Sequence, residues 1–206
     1  MNKPRVEAFS DGVIAIAITL LVLDLHVPEP GSGTSLAHEL AKQWPSYAAY
    51  VVSFLTIGII WINHTAMLRR LNRVDHSILF LNLMLLMTIA VLPFTTALMA
   101  AYLKATDGEN LAAAIYSGSL LLMSLAFFVM HRHLLLARVH FLHEHLTPEV
   151  RSAVLRRNAR GLLPYAFATA VAALSPYLTL AICGAVAVFY ALPATTGDTP
   201  PEAPIE

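Results

Sequence analysis

The chain has 206 residues, 57% hydrophobic and only 13% charged, with a mean hydropathy of +0.66; an ordinary globular domain carries about 25% charged residues, so soluble enzyme folds are excluded first. Thirteen Lys and Arg balance thirteen Asp and Glu when the nine His are neutral, which leaves no overall basic field to draw nucleic acid as a partner. The single Cys183 lies inside an apolar run and reads as a small buried hydrophobe, since it has no partner for an intramolecular disulfide.

An ionised side chain near mid-bilayer costs at least ~3 kcal/mol, so runs without Asp, Glu, Lys or Arg mark the places to look for membrane spans. Gly12 to Leu23 is uncharged for 12 residues, Gln43 to Leu68 for 26, Ser77 to Leu103 for 27, Asn110 to Met130 for 21 and Gly161 to Gly197 for 37. A crossing needs about 20 residues. The first helix must therefore extend past Asp11, Asp24 or both, which puts a carboxylate just inside the membrane boundary. Helices two, three and four follow from the next three runs. The last run divides at Ser175-Pro176, where Ser is a good N-cap and Pro a good first helical residue. The fifth helix has only 14 uncharged residues after Arg160, but Thr147-Pro148-Glu149 is a helix-start signature that lets it begin as a basic amphipathic turn.

The expected architecture is all-α: an integral membrane bundle over 1–193 with helices near 5–26, 45–69, 77–103, 110–133, 148–174 and 176–192. A fifth-and-sixth hairpin that bends without crossing is the competing count. The 14 residues after Leu192 hold four prolines, and the tail over 194–206 is expected to be disordered. Lys3 and Arg5 before a short apolar core suggest a signal peptide, but the following VPEPGSG offers no A-x-A-like site and Asp11 interrupts the layout. With the N-terminus cytoplasmic, inner segments hold eleven Lys and Arg against Lys42 and Lys104 outside, a strong positive-inside bias. The expected location is the cell's inner (plasma) membrane, multi-pass.

On this topology three polar residues fall at one depth. At 1.5 Å per residue, Asp11 is ~9 Å past Arg5, while His64 and Asn82 each lie ~7 to 8 Å from the same boundary. Intramembrane polar groups usually face the bundle interior and pair, so Asp11, His64 and Asn82 are expected to hydrogen-bond, with Ser10 and Arg5 near enough to join. The blander alternative is interfacial residues sampling headgroup water. No ionisable residue lies at the centre of any span, where coupled carriers usually place such groups. No Walker loop, GxGxxG, HExxH, GxSxG or paired-Cys pattern is present, and no nucleophile-and-base pair or metal triad points to an enzyme. No cofactor is implied.

Arg5-x-x-x-Phe9-Ser10-Asp11 resembles the R-x-x-x-F-S-D signature of the family of transmembrane protein 175, the endolysosomal potassium channel, and its prokaryotic relatives. Trp61-Ile62-Asn63-His64 resembles the family's helix-two W-x-x-H, and Asn82-Leu83 followed by Pro93-Phe94-Thr95 its helix-three N-L and P-F-x-T pattern. The resemblance implies a six-helix single repeat, four copies assembling as a homotetramer, and four copies of helix one lining a potassium-permeable pore. No TVGYG-like filter occurs. By the same resemblance the pore positions are Ile16 and Thr19, with apolar constrictions at Leu20 and Leu23 and a transient potassium site near Thr19. Ile16, Leu20 and Leu23 do form one helical stripe, yet Ile14, Ile18, Leu21 and Leu25 form an equally apolar one opposite. Periodicity alone does not choose between them. Arg5, Phe9, Ser10 and Asp11 read as a structural key that locks helix one to its neighbours through His64 and Asn82.

His131, His133, His140, His143 and His145 cluster in one inner loop, but only the 140/143 spacing shares a helical face. A solvated loop near anionic headgroups is the expectation, with no metal bound. The leading functional expectation is a potassium-permeable cation channel with a hydrophobic gate. The alternative is a proton-linked secondary transporter using the inner-leaflet Asp11, His64 and Asn82 layer, and a third is a non-conducting membrane scaffold.

Overall fold

The computed structural model describes residues 3–29, 35–142 and 147–192. Its elements are α1 (Lys3–Leu20), a 3-10 turn (Leu21–Asp24), α2 (Leu36–Lys42), α3 (Trp44–Arg69), α4 (His76–Ala90), α5 (Leu92–Tyr102), α6 (Glu109–Ala137), a second 3-10 turn (Val139–Phe141), α7 (Pro148–Arg160), α8 (Leu162–Val171) and α9 (Pro176–Ala191). Among the described residues there is no strand. Four segments are long and apolar enough to cross a membrane: Lys3–Asp24, Trp44–Arg69, His76–Tyr102 and Glu109–Ala137. The tail over 194–206, His143 and His145 lie outside the described residues.

Local sequence explains where the helices start and break. Asp75 caps α4 by accepting the Ile78 amide at 2.9 Å, and Ser175 caps α9 by accepting the Leu178 amide at 3.3 Å, each relieving a first-turn N–H of its helix. Pro93 has no N–H for the Ile89 carbonyl, and Pro164 none for Arg160; removing that bond breaks a helix near the proline. The third predicted helix is accordingly two pieces, α4 and α5, within one 27-residue span, and the fifth is α7 and α8, divided at Gly161. Gly108 takes a left-handed backbone (φ 81°) where the chain turns into α6, a conformation that costs glycine little.

The core is a bundle in which α6 packs on α4, α5 and α8, α3 on α5 and α9, and α1 lies against α3 and α4. Leu85, Ile89, Leu92, Met99, Leu120 and Tyr116 are among its fully buried side chains. Bilayer helices gain little from the hydrophobic effect on associating, and hydrogen bonds between them add specificity. Two polar knots do so here. In one, Ser53 Oγ of α3 lies 2.8 Å from Thr96 Oγ1 of α5 and 3.0 Å from the Tyr116 hydroxyl of α6. The other involves α1.

The two ends of the bundle differ. At one, Trp44 stacks on Tyr177 at 6.2 Å while Lys104 sits over the Trp44 ring and donates to the Lys42 carbonyl. At the other, Lys3 at the start of α1 donates to the Arg69 carbonyl at the end of α3, and Arg138 pairs with Asp75.

Candidate functional site

The candidate site is α1 and what holds it. Val6, Ser10, Ile14, Ala17 and Leu21 recur at three- and four-residue intervals and are all buried, so they form the stripe turned toward α3 and α4. At mid-stripe, Asn82 Nδ2 donates to Ser10 Oγ at 2.9 Å, Ser10 Oγ donates to the Val6 carbonyl at 2.8 Å, and Asn82 Oδ1 lies 2.8 Å from His64 Nε2. With the amide nitrogen committed to Ser10, Asn82 Oδ1 is the acceptor, so His64 Nε2 carries the proton. All three side chains are at most 1% exposed. Buried polar groups are costly unless bonded; here each donation is met, and the chain of bonds ends on a backbone carbonyl.

Asp11, expected in this cluster, is not bonded to it. One residue on from Ser10 is a rotation of about 100°, which swings the carboxylate out of the stripe to accept Trp61 Nε1–H at 2.9 Å on the exposed side. Keeping the charge there avoids the cost of burying it. Ser10 takes the place assigned to Asp11. Arg5 and Phe9 also depart from the expected cluster: both side chains are exposed. Phe9 stands seven residues before Ile16, two turns along the same line of the helix, so it cannot share the side of Ser10. Sequence reasoning missed Trp61 as the carboxylate's partner, although the W-x-x-H pattern named the residue. It missed the Ser53, Thr96 and Tyr116 knot altogether, because hydroxyls do not interrupt an uncharged run.

The other side of α1 is open. Ile16 is 61% exposed, Leu20 42% and Leu23 71%, against 2% for Ile14 and none for Leu21. Where the sequence pattern offered two apolar stripes, the bundle buries the one holding Ile14 and Leu21 and leaves the other. After Leu20 the backbone tightens into the 3-10 turn, in which residues three apart eclipse, so Leu23 lies over Leu20. Thr19 Oγ1 is 2.9 Å from both the Ala15 and Ile16 carbonyls. Its one proton is held by its own helix, and the oxygen lone pairs stay available to accept a cation.

Among the described residues the histidines do not gather into a metal-holding group. His131 Nδ1 accepts from Asn158 Nδ2 at 2.9 Å, and His140 stacks edge-on against Phe141. Among the described residues no group of three or more His, Cys, Asp or Glu is placed to hold a metal ion.

Comparison with known proteins adds to this geometry. Residues 5–93 match the family described as the endosomal/lysosomal potassium channel TMEM175. A protein of Streptomyces collinus named a potassium channel is 46% identical over 191 residues, covering 92% of each chain. The crystal structure of a lysosomal potassium-selective channel TMEM175 homolog from Chamaesiphon minutus superposes with a TM-score of 0.81 at 34% identity, over 94% of this chain and 98% of that one. A chicken relative named an endosomal/lysosomal proton channel is 36% identical over 117 residues, which is 53% of this chain and 23% of that one.

Proposed function

Since the chain belongs to the TMEM175 family, we propose that it is a potassium-permeable cation channel whose pore is formed by α1 from four copies of the chain. Its fold is that of a multi-pass membrane protein, with four spans of crossing length and the shorter apolar α9. In the full reading α7–α8 and α9 supply the fifth and sixth crossings, the N-terminus is cytoplasmic, and the membrane is the plasma membrane. The observation that carries the reading is the open side of α1. A helix fixed through one face to its own subunit keeps an apolar stripe on the other, and in this reading that stripe meets the same helix of the other subunits.

Four such stripes around an axis stack rings of Ile16, Leu20 and Leu23. Branched apolar rings of this kind gate a conduit by dewetting. The Thr19 hydroxyls lie between the Ile16 and Leu23 rings, one residue before Leu20, where their lone pairs meet an ion that has shed part of its hydration. The Ser10–Asn82–His64 chain acts as the lock that fixes the rotation of α1. It contains no carboxylate, and this favours a structural role over proton coupling.

Reconstitution into liposomes tests the reading. Potassium flux is expected from the wild type, and Ile16→Asn is expected to increase it severalfold by wetting the narrowest ring. Well-folded protein that passes no potassium in either form would falsify the channel reading. The reversal potential under potassium, sodium and proton gradients ranks the permeant ions, which bears on the potassium and proton names of the relatives.

A further inference from the structure

α7 and α8 are nearly one rod. Gly161 between them keeps right-handed helical angles (φ -63°, ψ -18°), and its N–H donates to the Arg157 carbonyl at 3.2 Å and the Asn158 carbonyl at 3.1 Å, so the helical count carries from one helix into the next. The rod packs through one side. Tyr165, Ala168 and Val171 are buried where α8 meets α6 and α9, and Arg151 Nη1 ties α7 to the Leu135 carbonyl of α6. On the other side, Arg156, Arg160, Leu163, Phe167, Ala170 and Leu174 are all exposed and follow one another at steps of three or four residues, the interval that keeps side chains on one line of a helix.

This line changes character once along its length. Its two arginines stand at the end of the bundle where α1 begins, since Asn158 between them bonds His131 near the end of α6. Everything beyond them is apolar: Leu163 is 65% exposed, Phe167 60% and Leu174 82%. From Leu163 to Leu174 the line runs about 16 Å at the helical rise, which is one leaflet of a ~30 Å hydrocarbon core.

The arginines lack a counter-charge. Four residues apart, Arg156 and Arg160 repel each other. Arg156 Nη1 donates to the neutral Ser152 hydroxyl at 3.2 Å, and among the described residues neither arginine forms an ion pair. Glu149 shares their side of α7 but precedes Arg156 by seven residues, about 10 Å along the axis. A phosphate accepts paired N–H bonds from guanidinium groups and relieves the repulsion. A free anion would use the arginines and leave the apolar line idle; a zwitterionic lipid would use the line but bring a cation of its own beside its phosphate.

We infer that Arg156 and Arg160 hold the phosphate of an anionic phospholipid whose acyl chain lies along Leu163, Phe167 and Leu174. The site rests on the chain lying in a bilayer and not on which ions it conducts, so the failure of one reading leaves the other standing.

Native mass spectrometry of the full-length protein in neutral detergent, titrated with phosphatidylglycerol or phosphatidylcholine, tests the site. Phosphatidylglycerol adducts are expected to exceed phosphatidylcholine adducts. Arg156→Gln or Arg160→Gln should each cut phosphatidylglycerol occupancy about fivefold, and Phe167→Ser should cut it severalfold by removing the ring that the chain lies on. All three positions are exposed, so the thermal midpoint should hold, and Arg160→Gln stands in if Arg156→Gln lowers it. Arg132→Gln makes the same change in net charge on α6 and should leave occupancy near the wild-type level. Equal phosphatidylglycerol retention by wild type and both arginine variants overturns the proposal, as does an equal fall with Arg132→Gln, which would mean diffuse attraction. Displacement by millimolar inorganic phosphate, or an arginine effect without a Phe167 effect, overturns it because the anion then needs no chain along α8. Occupancy that stays low until Asp198, Glu202 and Glu206 are neutralised also overturns it, since the chain's own carboxylates then take the arginines.

Discussion

Along α1, Val6, Ser10, Ile14, Ala17 and Leu21 are buried against the rest of the chain, while Phe9, Ile16, Thr19, Leu20 and Leu23 are exposed. The two sides differ little in oiliness: an Ile and a Leu on one face an Ile and two Leu on the other. What separates them is a single serine. Ser10 offers a hydroxyl oxygen to an amide on α4 that also engages His64 on α3, whereas on the open side the Thr19 hydroxyl bonds only carbonyls of its own helix. In a bilayer, where lipid tails solvate either stripe equally well, a met hydrogen bond rather than apolarity decides which side a helix turns inward.

The sharpest way to break this contrast is Asn82→Leu. The substitution leaves the His64 Nε2–H buried without an acceptor and the Ser10 oxygen without its donor, and one unmet buried group costs about 1 to 3 kcal/mol. A large fall in thermal midpoint is expected, with loss of the assembled oligomer on size exclusion before any change in ion preference. An unaltered midpoint would mean that the polar bridge does not fix the face of α1.

A matched pair of truncations comes next. Ile14→Ala opens a cavity on the sealed side and is expected to cost about 2 kcal/mol. Ile16→Ala removes the same atoms from a position 61% exposed within the chain, so the subunit's thermal midpoint should hold while potassium flux rises. Equal loss of stability from both substitutions would erase the distinction between the sides.

These substitutions also mark how far the sequence alone could go. Depth was legible, because residues advance a helix by a fixed rise: counting from Arg5, Arg69 and Ser77 puts Asp11, His64 and Asn82 in one layer. Rotation was not. Asp11 and Ser10 share a depth to within 1.5 Å and differ by about 100°, and only packing of the whole bundle says which of them meets Asn82. The same gap explains why Ile16 and Ile14 could not be told apart by period, and why Phe9 was grouped with Ser10 although it lies in line with Ile16. Helix starts were legible where a cap spells them out, as at Ser175-Pro176. The breaks at Pro93 and Gly161 were not, since a proline in an apolar run permits either a kink or a new helix.

The Asp11–Trp61 bond is expected to matter less. Trp61→Phe removes the indole donor and keeps the ring. Because the pair is exposed in the subunit, the cost should be about 1 kcal/mol or below. A double-mutant cycle with Asp11→Asn isolates the coupling. Coupling above that of the Ser10–Asn82 pair would shift the lock from the sealed side of α1 to the open one.

The smallest effect reaches the sealed side indirectly, through the position of α4. Asp75 caps α4 and pairs with Arg138 just beyond α6. Burial works against its charge, but the Ile78 amide and the Arg138 guanidinium outweigh that and hold the carboxyl below the usual carboxylate range. A carboxyl with a lower pKa folded than unfolded contributes stability that is complete above the unfolded value, about 3.9, and fades as pH falls through the folded one. The thermal midpoint should therefore be flat near neutrality with respect to this group and decline below about pH 4. Asp75→Asn keeps an N-cap oxygen and loses the charge, so its cost at pH 7 should be under about 1 kcal/mol, the scale of a partly exposed pair. Since the protonated carboxyl and the amide are both neutral caps, the gap between the variant and wild-type midpoints should narrow as pH falls from about 4 through the folded pKa. A gap that does not narrow on acidification would assign the contribution of Asp75 to the geometry of the cap and leave none for its pairing with Arg138.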